Sequence, residues 1–193
     1  GTLNLDGKLE TATAGDVTLT VTGACTLADA KTLTSAGAAT VSCASITAVG
    51  YTITAVGAVE VTGPWTGSDA VSVTSSGSTV ALNDDITTTG GSSDVGVTCS
   101  AGALTLADTK TMTSAGAATL TAQTISSVAY TVSSAGAAAI TGPWTATGAV
   151  SVTSSGSTIT LNDDITTGGT TNDLTINANG ALSFASSADA LTA

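Results

Sequence analysis

A long internal repeat constrains this chain more than any other feature. LADAKTLTSAGAATV, residues 27–41, returns as LADTKTMTSAGAATL, residues 106–120. GPWTGSDAVSVTSSGSTVALNDDITTTGG, from Gly63, returns as GPWTATGAVSVTSSGSTITLNDDITTGG, from Gly142. The two offsets are the same, 106 − 27 = 79 and 142 − 63 = 79. Near-identical copies have little place in a compact single-core domain, whereas stacked units that bury their faces on one another require them. The expected organisation is one solenoid segment, 1–193, with repeats at approximately 1–34 (partial), 35–113 and 114–193.

A shorter period lies inside the long one. Thr32-Leu33-Thr34, Thr52-Ile53-Thr54 and Ser72-Val73-Thr74 each precede a glycine, as do Thr111-Met112-Thr113, Thr131-Val132-Ser133 and Ser151-Val152-Thr153. Those glycines are Gly37, Gly57, Gly77, Gly116, Gly136 and Gly156, with successive spacings of 20, 20, 39, 20 and 20. Reading the 39 as two turns gives four coils of about 20 residues per repeat and about ten coils in all. Within coils, apolar and hydroxyl residues alternate, as in Asp16-Val17-Thr18-Leu19-Thr20-Val21, which is the period of a strand. Ala-Gly-Ala, Gly-Pro-Trp and Asn-Asp-Asp segments break the strands. The predicted fold is all-β: a parallel β-solenoid (β-helix) on the order of 50 Å long at about 4.8 Å per coil.

Composition fits a narrow stacked interior: aromatics are 3% and the 42% hydrophobic content rests on small residues. It also excludes several function classes. Fourteen acids face three lysines, with no arginine or histidine, for a net charge of -11. No basic patch exists for nucleic acid or for an anionic membrane surface. Thr, Ser and Gly interrupt every apolar window of about 20 residues, so no membrane insertion is expected. A mean hydropathy of +0.42 argues against disorder. The chain opens at Gly1 with no basic or apolar leader, so a processed product or a piece of a longer protein is expected.

The Gly-x-Val-x-Leu-x rungs of about 20 residues, poor in Lys and Arg, resemble the repetitive shafts of filamentous-haemagglutinin-like exoproteins and large autotransporter adhesins. The resemblance spans the chain and rests on rung pattern. It implies secretion to the cell surface and a passive, extended role. The secretion domain and outer-membrane barrel of that family have no counterpart here, so shaft alone is expected.

Several residues could carry chemistry. Asp84, Asp85, Asp163 and Asp164 keep the register of the long repeat beside Asn83 and Asn162, and loop carboxylates of this kind could hold calcium. Ordinary Asn-Asp turn chemistry is the preferred reading, so no cofactor is expected, with calcium as the alternative. Asp16, Asp94 and Asp173 also recur in register. Lys31 and Lys110 follow Asp29 and Asp108 at i, i+2, the spacing of a surface ion pair. No enzyme is expected: adjacent carboxylates are too close for glycosidic acid–base work, and every site has a repeat twin.

Trp65 and Trp144 follow Gly-Pro at equivalent corners. Pointing outward, four coils and about 19 Å apart, they would suit a sugar or partner; folded over an apolar corner they would not, and that second reading is preferred. Tyr51 and Tyr130 are read the same way. The pairs Thr32/Thr34, Thr52/Thr54 and Ser72/Thr74 should align as an outward ladder, as should Thr111/Thr113, Thr131/Ser133 and Ser151/Thr153, a surface that resembles ice-binding ladders. Ala14/Asp16, Ser92/Asp94 and Thr171/Asp173 are expected to break that ladder every fourth coil. Cys25 and Cys43, 18 apart and both inward, are expected as small buried thiols, with a bridge sterically open; Cys99 is unpaired.

The expected function is structural: the shaft of an extracellular fibre or adhesin at the cell surface, its partners being flanking repeats or other copies stacked end to end. The alternative is a surface binding module for ice or for a cell-surface glycan.

Overall fold

The computed structural model describes residues 1–168, 173–186 and 189–193. It contains 23 strands and no helix among these residues, and every strand pairing is parallel. The chain winds as a three-sided coil in which each strand pairs with the strand one turn before and one turn after. Four long strands, Val17–Leu27, Ala39–Ala48, Val95–Leu106 and Ala118–Ser127, bend through a corner and serve two faces each.

Face I stacks Leu3–Leu5, 24–27, 45–48, Trp65–Gly67, Ile86–Thr88, Lys110–Ser114, Tyr130–Ser134, Val150–Ser154 and Leu174–Ala178. Face II stacks Leu9–Glu10, Lys31–Ser35, Tyr51–Ala55, Val71–Ser75, 95–99, 118–122, Ala138–Thr141, Ile159–Leu161 and Leu182–Phe184. Face III stacks 17–21, 39–43, Val59–Thr62, Val80–Leu82, 103–106, 124–127, Trp144–Ala146, Ile165–Thr167 and Leu191–Thr192. Along the chain the faces follow one another in the order I, II, III. Each face stacks nine strands, about eight turns of about 21 residues from the first rung to the last, so the coils are fewer and longer than the ten of about 20 expected. The reason is that some corners are wide: Ile86 follows Trp65, its partner one turn back, by 86 − 65 = 21, but Met112 follows Ile86 by 112 − 86 = 26.

Alternation sends one parity of each strand inward, where β-branched side chains suit the pleat. On face II the inward file runs Leu9, Leu33, Ile53, Val73, Val97, Leu120, Ile140, Leu161, Phe184. From Leu33 to Leu161 its members are at most 2% exposed. Inward polar groups occur where a strand meets a corner, and most of them are satisfied there, the Thr167 hydroxyl being an exception. The Ser75 hydroxyl donates to the Gly57 carbonyl at 2.7 Å, that of Ser114 to Ala117 at 2.7 Å and that of Ser154 to Gly136 at 2.6 Å. This explains the Ser that follows five of the six Thr/Ser-x-Thr/Ser segments (Ala55 is the exception): a small donor closes the turn without leaving a buried carbonyl unpaired.

The long repeat does not span a whole number of turns. Lys31–Ser35 lies on face II, whereas its repeat equivalent Lys110–Ser114 lies on face I. Eleven strand segments separate them and each turn has three, so one repeat is three and two-thirds turns rather than four. The correction falls on the longest glycine interval, which contains five segments: Val71–Ser75 on face II and Lys110–Ser114 on face I are one and two-thirds turns apart. Each copy of the repeat is therefore rotated by one face relative to its predecessor.

Candidate functional surface

The rotation redistributes nearly every residue singled out from the sequence. Trp65 lies on face I between Ile46 and Ile86, and Trp144 on face III between Ile125 and Ile165. They neither share a side of the rod nor reach solvent: both are 1% exposed. The alternative of outward tryptophans as surface contacts for a sugar or partner is excluded, and the indoles are in apolar, inward positions as the preferred reading has them. The interior is also wider than its composition implied, since Trp65, Trp144, Tyr51 and Tyr130 are all fully buried. Gly67 on face I and Ala146 on face III follow the indoles by two positions, so small inward neighbours make room for them. Trp144 donates Nε1–H to Ser127 Oγ at 2.9 Å and meets Tyr130 in a tilted ring contact at 6.4 Å.

The two tyrosine hydroxyls have no hydrogen-bond partner among the described residues. Burial pushes the Tyr51 phenol from its ordinary 10.0 up to about 12. It shifts that of Tyr130 the same way, with the negative charge of Asp85 adding to the effect. Because the folded state holds these protons more tightly than the unfolded chain, their contribution to stability is complete below pH 10 and is lost as pH rises toward 12. Guanidinium denaturation is expected to show stability falling across that window, and the double variant Tyr51→Phe, Tyr130→Phe should not show this fall. At neutral pH the variant should be at least as stable as the parent, since an unpaired buried hydroxyl costs about 1–3 kcal/mol.

Among the fourteen acids only Glu10 and Glu60 lie on strands; the rest sit in corners. The calcium candidates are engaged there in closing the coil. Asp85 Oδ1 accepts the Thr111 N–H at 2.7 Å, and Asp164 Oδ1 accepts that of Ala190 at 2.7 Å. Asp84 Oδ1 accepts the Asp85 N–H at 3.0 Å, and Asp163 Oδ1 that of Asp164 at 2.9 Å. Asp16 and Asp94 do the same for Ala38 and Ala117, each at 2.7 Å. Wide corners leave a backbone donor of the next turn without its ladder partner, and a carboxylate fills the place with a charge-assisted bond. No group of three metal-ligating side chains occurs among the described residues. Lys110 pairs with Asp84 at 2.9 Å, one turn away, rather than with Asp108, whose carboxylate accepts the Ala129 N–H at 3.2 Å. Lys31 forms no ion pair among the described residues.

Cys25 and Cys43 are joined in a disulfide with Cα atoms 6.0 Å apart, correcting the expectation of free thiols. Cys25 opens a face I strand and Cys43 closes the face III strand of the next turn, so the bridge staples two turns across a corner. Cys99 is buried and free.

The hydroxyl ladders form, and they are longer than expected. Thr34, Thr54, Thr74, Thr98, Thr121 and Thr141 make one unbroken file on face II. Beside it run Thr32, Thr52, Ser72, Gly96, Thr119 and Ala139. The pair after Ser72/Thr74 is Gly96/Thr98, not Ser92/Asp94, because Asp94 belongs to the corner. The predicted carboxylate break does not exist; Asp16 is likewise in a corner, while Thr171 lies outside the described residues. Thr111/Thr113, Thr131/Ser133 and Ser151/Thr153 align on face I, continuing a file of Thr26, Thr47, Thr66 and Thr87. No family model, curated protein or solved structure matches the chain.

Proposed function

We propose that this chain is a shaft segment of an extracellular fibre or adhesin, without catalytic activity, that extends by stacking further turns end to end. The observation that carries this reading is the parallel stack itself, in which strands pair in register with the turn before and the turn after, so the same fold accepts further turns. Leu182, Phe184 and Leu191 are 42%, 40% and 39% exposed, while Ile159, Leu161 and Ile165, one turn earlier in the same files, are 0% exposed. Another turn laid against them, from the same chain or a second copy, would bury that apolar surface and pair the strand edge. The filamentous-haemagglutinin-like resemblance and the stapled turns support the same reading, since disulfides persist in oxidising, extracytoplasmic compartments.

Electron microscopy of assembled or tandem material tests it. Thin filaments are expected in which successive long repeats are related by a rotation of one face and a rise of about 18 Å, three and two-thirds turns at about 4.8 Å. Face and repeat should come back into phase after three repeats, eleven turns and about 53 Å. Discrete monomers at high concentration in sedimentation velocity, with no filaments, would overturn the proposal.

A further inference from the structure

The geometry points to face II as a surface that binds the prism plane of ice. Of the twelve outward positions between Lys31 and Thr141, nine are Thr and one is Ser, with Gly96 and Ala139 the exceptions. All twelve are partly exposed. The two files form a rectangular mesh: about 4.8 Å along the rod, set by strand spacing, and about 6.6 Å across, set by two residues of strand rise. That mesh comes close to the oxygen repeats of an ice prism face. Thr is stiff at χ1, and the backbone beneath is locked by inter-turn hydrogen bonds, so hydroxyls and methyls are held in place before any ligand arrives. Among the described residues, the hydroxyls of Thr34, Thr54, Thr74, Thr98 and Thr121 make no hydrogen bond within the protein, and all are left to water.

Other occupants fit less well. A second copy laid side by side would bring together acidic corners on molecules of net charge -11. A glycan would find no aromatic platform on this face, because both tryptophans and both tyrosines are inside. A charged partner would find no charge between Lys31 and Thr141, where the two files carry none; Glu10 and the corner carboxylates lie at the margins. An uncharged, periodic water lattice is what this mesh matches. The inference is independent of the shaft reading: filaments without ice affinity would sink this one and leave that one standing.

The test uses the full chain and ice itself. Thermal hysteresis and partition of fluorescently labelled protein into a slowly grown ice hemisphere are measured for the parent, for Thr54→Tyr and Thr98→Tyr on face II, and for Thr105→Tyr on face III. The parent and Thr105→Tyr should show hysteresis and enter the ice. Both face II variants should lose hysteresis and ice partition while their circular-dichroism melting curves stay parental. A folded parent with neither hysteresis nor ice partition overturns the inference even if a variant misfolds. Undiminished activity in a folded Thr98→Tyr, or equal loss in Thr105→Tyr, overturns it as well.

Discussion

Replacing Gly142 with alanine is expected to destabilise the protein by several kcal/mol, measured as the shift in guanidinium-induced unfolding. Two costs combine. Gly142 has φ +106°, a conformation that side chains with a Cβ rarely adopt, and holding one there costs about 1–3 kcal/mol. An added Cβ would also collide with the Ala122 carbonyl oxygen of the preceding turn. That oxygen is backbone and cannot swing aside, so overpacking contributes about 1–3 kcal/mol more. The corner has no slack: the Pro143 carbonyl must still accept the Ile125 N–H at 2.8 Å for the ladder to continue into Trp144. Gly63, with φ +109° and a Cβ that would strike the Cys43 carbonyl, should behave the same way. Gly96→Ala is the control. It faces outward with nothing near its added Cβ, and its expected change is within about 1 kcal/mol. A Gly142→Ala protein as stable as the control would mean that the Gly-Pro-Trp corner is not tightly packed.

Reducing the Cys25–Cys43 bridge should cost about 3 kcal/mol, the chain-entropy value for closing a loop near 15 residues; the two cysteines are 18 apart. In a coil where each turn contacts only its neighbours, the loss should appear as early unfolding of the first turns rather than as a uniform shift. Hydrogen exchange with and without reductant separates these outcomes: protection should fall for residues 17–48 and remain for 110–161. The repeat supplies its own control, because the equivalent positions are Leu104 and Ala122. Cys25→Leu with Cys43→Ala restores packing without the cross-link, so it should lie between the oxidised parent and Cys25→Ser with Cys43→Ala. If that variant matches the oxidised protein, the bridge contributes nothing to stability.

Much of this was legible before any coordinates. Alternation in segments such as Val71–Ser75 marks inward Val and outward Ser and Thr directly, because a strand's side-chain period is two whatever it pairs with. The Trp-x-Gly and Trp-x-Ala segments are less direct. Sequence favours indoles folded over an apolar corner, and only packing shows them on the inward files, where Gly67 and Ala146 leave room for them. The disulfide was open at the sequence level for a similar reason. Spacing near one turn made Cys25 and Cys43 neighbours, but the corner between faces III and I decides whether their Cβ vectors meet.

The sequence by itself determined the all-β class, the parallel stacked coil, the inward and outward parity of each strand and the period of the long repeat, since all of these are local or copy-to-copy properties. The tertiary structure decided the phase. How many strands fit in one long repeat depends on corner lengths, which vary from turn to turn and accumulate along the chain. A slip of a third of a turn moves every motif to another face. That slip separated the two tryptophans, removed the carboxylates from the Thr file, and left on face II an uncharged two-file array that no single stretch of sequence displays.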